Sequence, residues 1–331
     1  MDNTTWLYVG FTIFVLGTLA LDLGVFHRKA HAVQTKEAGV WVAIWTTLAM
    51  VFAGIIYFWK GSEHSLLFVT GYLVELSLSA DNIFVMVMIF AYFSVPDKYQ
   101  HRVLFWGILG ALIMRGIFIG AGAFLISRLS WIMYVFGAFL VVTGIKMALR
   151  QDEEFDAEKN VVMRTARRFL RVTNNYDGQR FLTRENGLLV ATPLFLVLLL
   201  VEFTDLVFAV DSIPAIFAIT TDPFLVYTSN VFAILGLRSM YFLLAGIVDK
   251  FVYLKYGLAA ILTFVGVKML IVDFFHMPIY VSLGFIIVTL AATLAASFLF
   301  PVQTEAVIDE TQEKTGSIFG SIQPPKRDEE S

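Results

Sequence analysis

The sequence predicts an all-α, polytopic membrane protein of about nine transmembrane helices, with the N-terminus outside, the C-terminus inside, and helices three to five repeated in inverted orientation by helices six to eight. Three observations carry this prediction. The 331 residues are 58% hydrophobic and only 15% charged, with a mean hydropathy of +0.76, outside the range of soluble globular domains. Apolar stretches recur at membrane-spanning length, and the basic residues collect in alternate connections.

The stretches lie near 6–26, 40–58, 65–91, 102–126, 130–149, 187–217, 225–247, 252–272 and 278–300. Each is long enough to cross a hydrocarbon core of about 30 Å at about 1.5 Å per residue. The first ends in Phe26-His27-Arg28-Lys29, without a basic n-region or a small-residue cleavage site, which marks a retained helix. Of the 24 basic residues, 18 fall in segments placed on the cytoplasmic side, and only Lys60 and Arg128 fall opposite. Arg115, Lys146, Arg238 and Lys268 lie within spans. This split sets the orientation.

Residues 1–301 form the transmembrane domain: repeat one over about 65–149, a cytoplasmic loop over 150–186, repeat two over about 187–272 and a final helix over 278–300. The tail over 302–331 is polar, contains a Pro-Pro pair and reads as disordered. In the loop, Val161 to Arg171 is a candidate basic amphipathic helix at the anionic inner leaflet, against the simpler reading of a solvated linker.

The repeat is legible in three landmarks. VELSLSADNIFV (74–85) in span three answers VEFTDLVFAVDSIPA (201–215) in span six, so that Glu75 and Asp81 match Asp205 and Asp211. Arg115 in span four answers Arg238 in span seven, and GIKM (144–147) answers GVKM (266–269). One order and nearly constant offsets make coincidence improbable. Span three runs inward and span six outward, the inverted arrangement found in many secondary transporters.

Chemistry narrows the function. The chain has no cysteine and five histidines, which excludes disulfides and thiolate sites and disfavours a soft metal centre. No prosthetic group is expected. The basic residues form no cluster interleaved with aromatics, so nucleic acid is not a partner. Five carboxylates, Glu75, Asp81, Glu202, Asp205 and Asp211, fall near mid-span; uncompensated, they cost on the order of 15 kcal/mol together. Arg115 and Arg238 neutralise only two. Asn82, Ser77, Ser79, Thr204 and Ser212 add oxygens at similar depth. Such a set suits a hard or borderline divalent cation, with Glu75, Asp81, Asn82, Glu202, Asp205 and Asp211 as candidate ligands. Buried ion pairs that only join helices are the competing reading.

Span six at 187–217 is too long for one straight crossing, and at about 100° per residue Glu202 and Asp211 point to opposite faces. Pro214 withholds an amide from the Val210 carbonyl. A broken helix is therefore expected, with that carbonyl and Asp211 lining the site. Lys146 and Lys268, near span ends, are expected to snorkel to the interface. Asp22 is placed at the interface, and Asp222, Asp273 and His276 on outer loops as solvated residues.

Several long stretches resemble the TerC family, in particular its Alx-like branch: ALDLGVFHRKAH (20–31), GYLVELSLSADNIFV (71–85), FSVPDKYQHRVLFWGILGALIMR (93–115), FGAFLVVTGIKMAL (136–149), VEFTDLVFAVDSIPAIFAITTDPF (201–224), ILGLRSMYFLLAG (234–246) and YGLAAILTFVGVKMLIVDF (256–274). The resemblance implies a manganese exporter of the bacterial inner membrane, with a wider association with tellurium resistance. It also implies that the acids at Glu75, Asp81, Asp205 and Asp211 serve an ion pathway for Mn2+. Leu76 departs from the pattern, since some Alx-like proteins carry lysine there.

Three classes of function follow. A transporter working by alternating access, possible proton coupling included, fits the repeat and the acids. An intramembrane aspartyl protease is disfavoured by the number of acids and by the lack of a Gly-x-Gly-Asp run. A membrane scaffold or metallation partner, without transport of its own, is the alternative to export.

Overall fold

The computed structural model describes residues 3–21, 35–129, 131–149, 161–173, 175–185, 187–246, 253–275 and 277–300. Asp22, His276, loop residues 150–160 and the tail beyond 300 lie outside the described residues. The described chain is a helical bundle: α1 (Asn3–Leu21), α2 (Thr35–Lys60), α3 (Ser62–Tyr92), α4 (Asp97–Arg128), α5 (Ile132–Leu149), a short α6 (Val161–Phe169), a hairpin of β1 (Leu182–Glu185) and β2 (Leu188–Ala191), then α7 (Pro193–Phe217), α8 (Pro223–Leu244), α9 (Leu254–Leu270) and α10 (Ile279–Leu299).

Local chemistry sets these boundaries. Gly61 alone joins α2 to α3, at φ 94°, where an L side chain would be strained. Pro193 and Pro223 open α7 and α8, where a missing N–H costs nothing, and the Asp222 carboxylate accepts from the Phe224 amide at 3.0 Å.

Six helices, α2, α3, α4, α5, α7 and α10, are long and apolar enough to cross a membrane. The protein is thus an integral, multi-pass membrane protein. Nine crossings are expected from the sequence, and the other three helices fall short for different reasons. The described side chains of α1 give only a shorter apolar stretch, Leu7–Thr18, and α9 has 17 residues. Helix α8 has the length but carries Thr228, Ser229, Asn230, Arg238 and Ser239, all buried. Packed against α2, α3 and α4, it is solvated by protein more than by lipid.

Two seams position the centre of the bundle. Gly71 lets α3 approach α8, where an added Cβ would lie 3.0 Å from the Ser229 hydroxyl. Helices α5 and α9 touch backbone to backbone. A Cβ on Gly266 would lie 2.7 Å from the Gly137 carbonyl oxygen and 2.8 Å from the Val141 nitrogen. A Cβ on Gly144 would lie 2.8 Å from the Ala259 carbonyl oxygen and 2.9 Å from the Thr263 nitrogen. Small residues permit this close approach, whose gain is van der Waals contact in a solvent as apolar as the helices.

The segment after α6 is folded, not a solvated linker. Strands β1 and β2 pair antiparallel from Leu182↔Ala191 to Glu185↔Leu188, around a turn with Gly187 at φ 79°. Met163 and Ala166 of α6 are buried in a cluster with Val95, Val103 and Leu194. Helix α6 forms where the sequence places it, but these apolar residues face the protein instead of the leaflet. The Tyr176 hydroxyl donates to the Phe93 carbonyl at 2.7 Å, and the Arg102 guanidinium lies 5.1 Å from the Phe181 ring. The unit is thereby tied to the elbow between α3 and α4.

Candidate functional site

Helices α3, α4, α7 and α8 enclose a polar centre. Arg115 of α4, 2% exposed, reaches into it. Its Nη1 pairs with Glu75 of α3, which is wholly buried, and also donates to the Ser212 hydroxyl and the Asn230 amide oxygen, each at 3.3 Å. Its Nη2 and Nε donate to the two carboxylate oxygens of Asp205 in α7, at 3.0 and 3.4 Å. One guanidinium thus bridges Glu75 of α3 and Asp205 of α7. Taken as ionised, the triad keeps one negative charge more than positive, in surroundings where unpaired charge is costly.

Asp81 and Asp211 lie beside the triad, outside its ion pairs. Both line a cavity of about 10 Å³ together with Asn82, Arg115, Ser212, Leu78, Met147, Phe208 and Leu262. That volume holds about one water molecule. Asn82 joins the two places: its Nδ2 is 3.5 Å from Asp205 Oδ1, while its Oδ1 is buried without a hydrogen-bond partner. Glu75 Oε2 and Ser79 Oγ are likewise buried and unpartnered. Helical spacing puts Glu75, Ser79 and Asn82 on one face of α3. These orphaned oxygens are acceptors that a cation or an added proton would satisfy.

Other expected residues are placed differently. Glu202 is half-buried on α7 and abuts α4, its carboxylate filling the space that a side chain at Gly110 would need. The hydroxyls of Ser77 and Thr204 donate to carbonyls of their own helices, Leu73 and Val201. Arg238 is buried in α8. Among the described residues, no three His, Cys, Asp or Glu side chains converge closely enough to hold a metal. The six candidate ligands are therefore divided among the Arg115 triad, the cavity and the Gly110 contact.

The expected break in span six is not present. Helix α7 runs continuously through Pro214, and the Val210 side chain is exposed. The excess length is resolved upstream, where 188–191 is strand and the helix starts only at Pro193. Lys146, exposed in the last turn of α5, lies within electrostatic reach of Asp211, which accepts a hydrogen bond from Thr143. Lys268 is half-buried in α9. Asp222 pairs with Lys60 at 2.8 Å, and Asp273 accepts from the Tyr134 hydroxyl, so neither is simply solvated.

Sequence reasoning missed Asn230 and Thr143. Asn230 is fully buried and accepts from Arg115, and the polar run Thr228-Ser229-Asn230 within a span was the available signal. Thr143 lies three residues before Lys146, hence on the same helical face.

With this geometry in place, comparison with known proteins decides the family. The integral membrane protein TerC family matches residues 60–305. The chain belongs to the TerC family. Among its TerC-like relatives, the membrane protein STKORF319 of Myxococcus xanthus is 57% identical over 293 residues, covering 88% of this chain and 92% of that protein. The Alx proteins of Salmonella typhi and Escherichia coli K12, whose names cast them as membrane-bound redox modulators, are 51% and 52% identical, each covering 88% of this chain and 94% of the relative. No solved structure matches.

Proposed function

We propose that this TerC-family protein exports a divalent metal cation, Mn2+ before others, from the bacterial cytoplasm by alternating access in the inner membrane. One observation carries the reading: Asp81 and Asp211, counterparts in the two repeats, line the same small cavity, beside an Asn82 oxygen that lacks a partner. An ion there would meet hard oxygen donors from α3 and α7, as Mn2+ prefers. The Arg115 triad would hold Glu75 and Asp205 in place next to it.

The proposal takes α1, α8 and α9 as crossings too, nine in all, with the N-terminus outside. The α5–α9 seam supports the inverted repeat. With an offset of 122 residues, Gly144 corresponds to Gly266, Gly137 to Ala259 and Val141 to Thr263. Each close contact on one side of the seam then has its image on the other, the self-complementary pattern of a two-fold interface. Rocking about this seam would expose the cavity to either side in turn. The excess negative charge of the triad supports proton coupling, since a proton and a cation can each balance it.

The relatives' name as redox modulators bears on the mode of action. This chain has no cysteine, so any redox effect would act through the metal it moves and not through thiols of its own. A second reading, a scaffold or metallation partner in metal homeostasis, is favoured by the way Arg115 ties acids of different helices together. Cellular manganese separates the two. Export predicts that cells expressing Asp211→Asn retain more manganese than cells expressing the wild type at matched levels, whereas equal contents would remove the export reading.

A further inference from the structure

The β1–β2 hairpin exposes apolar side chains that the fold leaves uncovered. Leu189 is 63% exposed, Leu188 52% and Leu182 44%. Cross-strand pairing puts Leu182 on the same face as Arg184 and Leu189, while Leu188 points to the opposite face at the tip. A two-stranded sheet has too little surface to hide three leucines by itself. Arg180 and Arg184 stand among them, both exposed. Arg180 is 72% exposed even with its contact to Asp177.

Position supplies the occupant. Ala191 is followed after one residue by Pro193, the first residue of membrane-crossing α7. At about 3.3 Å per residue, Leu189 lies within roughly 13 Å along the chain of the start of that helix. The headgroup layer is about 5–7 Å deep on each side of the hydrocarbon core. The Tyr176–Phe93 hydrogen bond and the Arg102–Phe181 contact tie the chain leading into the hairpin to the elbow between α3 and α4, both helices of membrane-crossing length. Exposed leucine beside exposed arginine, next to a membrane entry point, matches the two layers of an anionic bilayer surface: acyl carbon beneath and phosphate above.

We infer that the hairpin is an interfacial anchor, with Leu182, Leu188 and Leu189 inserted at the acyl boundary and Arg180 and Arg184 on the phosphates of anionic phospholipid. Its assignment to the cytoplasmic leaflet rests on the orientation given under Proposed function; insertion itself does not. The anchor would fix the level of the α3–α4 elbow, through which the cytoplasmic ends of both helices are tied.

The absence of cysteine makes the test direct. Full-length Leu189→Cys and Leu188→Cys, each carrying an environment-sensitive fluorophore, are placed in nanodiscs of phosphatidylcholine with or without phosphatidylglycerol. Thr165→Cys, exposed on α6, reports water. The expected result is blue-shifted emission at 188 and 189, lost with lipids bearing a nitroxide near the headgroup and insensitive to aqueous iodide, with the reverse at 165. Arg180→Gln with Arg184→Gln should shrink the difference in phosphatidylglycerol discs only. Iodide quenching at 188 and 189 equal to that at 165 overturns the anchor. So does protection that vanishes when discs hold one copy, because the occupant would then be a second chain. Neither result touches the manganese assay, whose failure would leave the anchor standing.

Discussion

Arg115 grips Asp205 through two nitrogens while its Nη1 pairs with Glu75, so one residue of α4 fixes buried acids of both α3 and α7. Removing it leaves two buried carboxylates without a cation. Arg115→Met should cost about 3–5 kcal/mol, seen as a lowered thermal midpoint in detergent. Adding Glu75→Gln should recover part of the loss, because the two changes share one network. A strictly additive double variant would contradict the shared triad.

The cavity acids should behave in the opposite way. Asp81→Asn and Asp211→Asn keep the shape of the side chain and should alter stability by no more than about 1 kcal/mol. Metal handling should fall to the level of cells without the protein. Cellular manganese together with melting temperature checks both halves of this expectation.

Glu202 and Gly110 form a steric pair. Gly110→Ala puts a methyl where the carboxylate lies, and because the end of a flexible side chain can swing aside it should lower the thermal midpoint only slightly, by about 1 kcal/mol. Glu202→Ala in the same chain vacates that space and should restore the midpoint. Failure of the rescue would mean that the two residues do not compete for one volume.

The glycine seam predicts equality. Gly144→Ala and Gly266→Ala each drive a methyl into the backbone of the facing helix at nearly the same distance, so both should destabilise by a similar amount, about 1–3 kcal/mol. Measured losses of very different size would break the correspondence between α5 and α9.

Tyr176, in the folded segment between α6 and α7, is pushed up to about 12 by burial. Its neutral hydroxyl therefore contributes stability that is complete below pH about 10 and is lost as pH rises towards 12. An ultraviolet titration should show one tyrosine ionising near the top of that range, and this component should be missing in Tyr176→Phe.

Apolar periodicity and length made the helical, membrane-spanning character readable in the sequence, and six of the helices have the length and apolarity to cross. The length of span six was readable but misattributed. A run such as Leu188-Leu189-Val190-Ala191 directly before a helix is equally apolar as strand or helix, and no spacing rule separates the two. The sequence put Glu75, Asp205 and Arg115 near mid-span, yet it was silent on which carboxylate Arg115 would take. That choice depends on how α4 crosses α7, a property of packing between distant segments. Gly110 carried no visible signal either, because its role exists only once Glu202 is brought against it.

The smallness of the void beside Asp81 and Asp211 has a kinetic corollary. An ion wrapped in six waters does not fit a volume of about 10 Å³, so any passenger must surrender its shell to carboxylate and amide oxygens before it enters. Replacing that shell would make the site selective, since only a cation whose waters these oxygens can match would be taken up. Uptake by the site should accordingly saturate with concentration and discriminate among cations by the cost of shedding water.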